Sequence, residues 1–91
     1  MNIRHLEFVV AVAEYKNFTK AAEAVHISQP SLSHAVATIE KQIGTSLFHR
    51  LGRTVALTSA GEAFVESARV ILRDLAVLHE SVRSVNELES G

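Results

Sequence analysis

The sequence has no cysteine, no tryptophan, one proline and four glycines among 91 residues. Without cysteine there is no disulfide framework, no thiol nucleophile and no cysteine-ligated zinc, so a hydrophobic core must hold the fold alone. Scarce proline and glycine beside 47% hydrophobic and 21% charged residues exclude collagen-like, low-complexity and disordered chains. The longest solidly apolar run is Phe8 to Ala13, far short of the roughly 20 residues that span a bilayer. No membrane partner, secretion signal or transmembrane segment is therefore expected.

The marks of catalysis are missing too. His5, His26, His34, His49 and His79 form no pair three to five residues apart, and no carboxylate joins them at metal-ligand spacing. Gly44, Gly52 and Gly61 make neither a dinucleotide fingerprint nor a phosphate loop, and no serine sits in a nucleophile elbow. The expectation is a binding protein without catalytic residues, metal or cofactor.

Net charge is −1, but it is unevenly spread. Residues 1–61 hold six Lys/Arg against four Asp/Glu, together with four of the five histidines; residues 62–91 hold three against six. A local basic surface can coexist with the overall balance.

The chain length fits one small domain. Ile3, Leu6, Val10 and Ala13 recur at helical spacing and predict a first helix over about Asn2–Lys16, with Asn17 tolerating the stop. Thr19 is placed to cap a short helix, Lys20–Val25, and Ser28 to cap a third, with Pro30 allowed in its first turn. On that third helix Leu32, Val36, Ile39 and Ile43 share one face, Pro30, His34, Ala37 and Lys41 the other, and Gly44 ends it. Phe48–Arg50 and Thr54–Leu57 flank Leu51-Gly52-Arg53 as a short hairpin with Arg50 and Arg53 at its tip. Thr58 or Ser59 then caps a helix running to about Leu88; Ser59 and Glu62 have capping-box spacing. The fold class is all-α with a small β-hairpin wing: a winged helix-turn-helix over 1–58, followed by a long dimerisation helix over 59–91.

Along that last helix Phe64, Ala68, Ile71, Leu75, Leu78, Val82 and Val85 are spaced alternately by four and three, which is a heptad seam. So long a stripe exceeds what the small preceding domain can cover, so a partner helix is its natural burial surface. Val65, Val70 and Leu72 widen its first half, as contact with both the domain and a partner requires.

A tight helix pair followed by a cationic hairpin points to double-stranded DNA, because a helix fits the major groove and reads base edges through its N-terminal residues. Gln29 can bond adenine, Ser31 and Ser33 base or phosphate, and Pro30 and Ala37 a thymine methyl, while the helix start at Ser28 favours phosphate. Arg50 and Arg53 can reach phosphates or a narrow minor groove. The competing reading is an assembly module that uses the same fold and coiled coil without DNA.

Ala21-Ala22, Ser28-Gln29-Pro30-Ser31-Leu32-Ser33, Ile39-Glu40, Gly44, Leu47-Phe48-x-Arg50-x-x-Arg53 and Leu57-Thr58-x-Ala60-Gly61 resemble the N-terminal region of LysR-type transcriptional regulators over nearly the whole chain. The resemblance implies a bacterial, cytoplasmic regulator whose linker helices pair antiparallel in a homodimer on an interrupted palindromic operator. It also implies an inducer-binding domain outside this chain, so the 91 residues are expected to be a DNA-binding fragment that senses no small molecule. By the same resemblance Thr19 and Lys20 approach the DNA backbone, and His34 stands where many members carry Arg. The expected DNA-facing set is then Thr19, Lys20, Ser28, Gln29, Pro30, Ser31, Ser33, His34, Ala37, Thr38, Lys41, Arg50 and Arg53.

Overall fold

The computed structural model describes residues 1–90 as six elements: α1 (Ile3–Tyr15), α2 (Phe18–Ala24), α3 (Gln29–Ile43), the strands β1 (Phe48–Leu51) and β2 (Thr54–Leu57), and α4 (Ser59–Ser90). A polar side chain starts each helix. Asn2 Oδ1 accepts from the His5 N–H at 3.0 Å, Asn17 Oδ1 from Lys20 at 2.8 Å, Ser28 Oγ from Ser31 at 3.2 Å and Thr58 Oγ1 from Gly61 at 2.9 Å. Each bond satisfies a donor with no acceptor inside its own helix.

These caps correct one expectation and decide another. Thr19 does not cap α2; it lies in the first turn, because Lys16 takes the left-handed conformation that ends α1 (φ 53°) and leaves Asn17 extended as the cap. Of the two residues placed to cap α4, Thr58 does so, and it also donates to Ser46 O at 2.7 Å. Ser59 is already the first helical residue, and its spacing to Glu62 is not used as a capping box.

The core forms where α1, α2 and α3 meet. Val9, Val12, Ala21, Ala22, Leu32, Val36 and Ile39 are almost fully excluded from solvent, and Leu47, Phe48, Val55 and Val65 close it from the wing and α4. No polar or charged residue is buried among the described residues. Ile43 departs from the expected core face of α3. As the last residue of the helix it reaches the edge, 40% exposed, and lines an open apolar groove with Met1, Leu6, Phe64 and Ile71.

The hairpin is antiparallel, with Phe48 opposite Leu57, Arg50 opposite Val55 and Leu51 opposite Thr54. The two-residue turn is therefore Gly52-Arg53, with Gly52 at φ 65°. Arg53 sits at the tip as expected. Arg50 does not, because pairing continues through Leu51 and keeps Arg50 within β1.

Three joints orient this wing. The Val55 N–H donates to Lys16 O at 3.2 Å, and the Leu47 and Phe48 N–H groups donate to Glu40 Oε2 at 2.7 and 3.4 Å. The Thr58 N–H completes the set on Leu47 O at 3.0 Å. The wing is thus tied to the ends of both α1 and α3.

α4 divides by burial. Gly61, Val65 and Ala68 pack into the domain, and Phe64, Leu72 and Leu75 are half-buried, whereas every described residue from Ala76 onward is exposed. Val70, expected to widen the packed stripe, is 43% exposed. The helix carries the molecule to 54 Å in its longest dimension.

Candidate nucleic-acid interface

The helix-turn-helix angle is set between α2 and α3. His26 takes a left-handed φ of 61°, and the Ile27 N–H reaches back to Ala22 O at 3.1 Å, the six-to-one bond of a Schellman ending. Ser28 can then start α3 after only a few residues.

At that start the polar side chains are organised. Ser28 Oγ donates to Ser31 Oγ at 2.8 Å, and Gln29 Nε2 donates to Ser33 Oγ at 2.6 Å. Thr38 Oγ1 is turned onto His34 O at 3.0 Å. Pro30, Ser31, His34, Ala37 and Lys41 are exposed, while Gln29, Ser33 and Thr38 are half-buried. The outward row consists mostly of small or uncharged groups, which lets a second backbone approach closely.

Beside it Thr19, Gln29, Arg50 and Arg53 converge with Asn17 and Phe18 on one cleft, bringing α2, α3 and the wing to a common face. Arg50 also borders an adjacent cleft with Ser33, Ala37 and Ser46. Its guanidinium lies over the Phe18 ring, 4.1 Å from the centroid, and Phe18 stands edge-on to Phe48. Stacking holds the cation beside α3, and its N–H groups make no hydrogen bond among the described residues. Lys41 lies at the far end of α3, and Lys20 is exposed on α2 outside this convergence.

Of the carboxylates near this face, Glu23 is exposed on α2 one turn from Thr19. No acidic residue lines the first cleft. Glu40, which borders the second, accepts the wing's backbone N–H groups. Glu7 and Glu14 pair instead with Arg4 at 3.6 Å and Arg69 at 2.8 Å. Lys20, Lys41, Arg50 and Arg53 enter no ion pair among the described residues.

Sequence reasoning named neither Phe18 as the platform for Arg50 nor Ser46 as part of the second cleft. Both depend on which elements meet, and periodicity does not carry that information. No described helix is long and apolar enough to cross a membrane, and no group of three metal-ligating side chains occurs among the described residues.

Residues 3–62 match the family model described as a bacterial regulatory helix-turn-helix protein of the lysR family. The whole chain aligns at 44% identity with a hydrogen peroxide-inducible genes activator of Pectobacterium carotovorum, covering 30% of that protein's length. Among solved structures, the BenM DBD in complex with catB site 1 DNA superposes with a TM-score of 0.90 at 34% identity, over 93% of this chain and 94% of that one. The CbnR DBD–DNA complex gives 0.87 at 36% identity, over 93% and 98%. With a family match over most of its length and folds of the same build, the chain belongs to the LysR family of bacterial regulatory helix-turn-helix proteins.

Proposed function

We infer that this chain is the sequence-specific DNA-binding part of a bacterial LysR-type transcriptional regulator. One arrangement carries the reading: the exposed row Pro30, His34 and Ala37 of α3 lies beside the cleft where Thr19, Gln29, Arg50 and Arg53 converge. A helix and a flanking cationic hairpin thus face the same way, as insertion into a major groove requires.

In this reading Gln29, Pro30, His34 and Ala37 face base edges, with the half-buried Ser33 behind Gln29. Ser28, Ser31, Thr19, Lys20, Thr38 and Lys41 face the backbone on either side. Arg53 reaches phosphate or minor groove from the tip, and Arg50 presents its stacked guanidinium to a phosphate between α3 and the wing. That structural neighbours are DNA complexes supports this docking.

Residues 1–58 make the reading head. Residues 59–91 contribute the dimer seam Phe64, Ile71, Leu75, Leu78, Val82 and Val85, so that two heads meet two half-sites of an interrupted palindrome in the bacterial cytoplasm; Ala68, at the same spacing, is already buried against its own domain and offers a partner nothing to cover. The aligned activator is much longer, and inducer sensing belongs to a part of the full protein outside these residues. No catalytic step enters this reading.

Salt titration tests it. With about 6–10 phosphate contacts per dimer, affinity of the 91-residue chain for a promoter fragment falls by about 10³–10⁵ between 50 and 200 mM salt. Salt-independent binding, or no binding to any of a pool of bacterial promoter fragments, overturns it.

A further inference from the structure

The Gln29–Ser33 bond has a use that neither residue has alone. The two side chains stand one helical turn apart, both half-buried, with Gln29 Nε2 donating to Ser33 Oγ at 2.6 Å. A glutamine carboxamide is carried on three rotatable bonds and offers an acceptor oxygen and two donor hydrogens. On an exposed helix start it would sample many rotamers, most of which miss a base edge, and binding would have to select one of them.

Here one amide hydrogen is spent on Ser33. With the hydrogen anti to Oε1 donated in this way, the free edge consists of Oε1 and the N–H syn to it, an acceptor beside a donor. Adenine presents the complement in the major groove, the N6 amino donor beside the N7 acceptor, whereas guanine presents two acceptors.

Resting on the DNA-binding reading above, we propose that Ser33 is a positioning residue for base recognition. Its hydroxyl holds the Gln29 carboxamide in the pose that selects adenine, so the two side chains read one base pair as a unit. Ser31 cannot substitute, because two residues along the helix it stands on a different face from Gln29, where its Oγ accepts from the Ser28 hydroxyl. Arg50 and Thr19 border the Gln29 cleft but make no hydrogen bond to its amide among the described residues.

The test is a double-mutant cycle on a duplex that the wild-type 91-residue chain enriches from a randomised DNA pool. The base pair whose substitution no longer matters in Gln29→Ala is the one that Gln29 reads. At that pair Ser33→Ala loses about 3- to 10-fold of the preference for adenine, keeps its affinity for unrelated DNA, and costs less than about 2-fold in the Gln29→Ala background. Ser33→Thr, which keeps a hydroxyl at the same place on the helix, restores the preference. Alanine is favourable within a helix, and an unchanged thermal melt confirms that Ser33→Ala folds. Equal losses with and without Gln29, or a Ser33→Ala chain as discriminating as the wild type, overturn the assignment of Ser33 while leaving the DNA-binding reading intact. A wild-type chain that enriches no sequence overturns that reading and the inference together.

Discussion

His26 and Gly44 close two helices with the same turn, each at positive φ (61° and 86°) and each followed by a residue whose N–H reaches back to the helix. The left-handed conformation costs a side chain about 1–2 kcal/mol and costs glycine almost nothing, though glycine loses more freedom on folding. His26 is exposed and therefore holds this turn without compensating burial. His26→Gly is expected to stabilise the chain by about 1 kcal/mol, raising the melting temperature by about 4–8 °C; an unchanged or lower value would mean that the imidazole repays its strain. The opposite case is Gly61. A Cβ there would lie 2.0 Å from Leu47 O, a backbone atom that also accepts from the Thr58 N–H. Gly61→Ala therefore has to push α4 away from the wing, at a cost of about 3 kcal/mol in urea unfolding. Its crowding also accounts for a glycine inside a helix that would otherwise prefer alanine.

At the scale of elements, α3 and the wing divide the work of recognition in the proposed DNA-binding reading. Gln29→Ala is expected to lose about 1–3 kcal/mol on the enriched duplex and to relax one base position per half-site. Arg53→Ala removes a cation from the wing's turn, so, where Arg53 meets phosphate as proposed, it should weaken all sequences alike and flatten the salt slope by about one unit for each phosphate no longer neutralised. If the two outcomes exchange places in a binding titration, the helix and the wing have exchanged roles. How far these elements are legible in the sequence follows from what specifies each. The inner row of α3 and the stripe of α4 are written as spacing, and Ser28, Pro30 and Gly44 punctuate α3, so those helices can be read directly. The cap of α2 is ambiguous in sequence, because Asn17 and Thr19 are both good caps and the choice depends on where α1 stops. That stop is made by Lys16, a residue with no intrinsic preference for a left-handed turn. The place of Arg50 is hidden for a similar reason. Whether a cation stands at a tip or within a strand depends on one more rung of pairing, and its stacking on Phe18 depends on α2 meeting β1. The hold of Glu40 on Leu47 and Phe48 is likewise a tertiary fact carried by an ordinary helical glutamate.

The whole molecule raises the question of what covers the outer part of α4. Leu78, Val82 and Val85 are 57%, 63% and 55% exposed, so the helix does not fold back on its own domain. Apart from Ala68, which its own domain covers, the residues of the heptad stripe leave a second copy as the simplest cover, and the groove of Met1, Ile43, Phe64 and Ile71 continues the apolar surface onto the domain. Leu75 is a poor probe of this interface, since it is half-buried and lines a groove with Ile3 and Glu7. Leu78→Glu is better placed: it touches no core residue of its own chain, yet pairing would bury its carboxylate in the middle of the seam without a cation. The winged domain should keep its melting transition while sedimentation reports a monomer. Tethering two heads makes the second half-site contact intramolecular, so operator affinity should fall by about 10²–10⁴ toward that of one head. Glu80→Ala lies on the opposite face of α4 from Leu78, where Glu80 pairs with Arg83, and should change neither property. A Leu78→Glu chain that remains dimeric with full operator affinity would place the interface elsewhere, and the Phe64 to Val85 stripe would then have to be covered by a different partner.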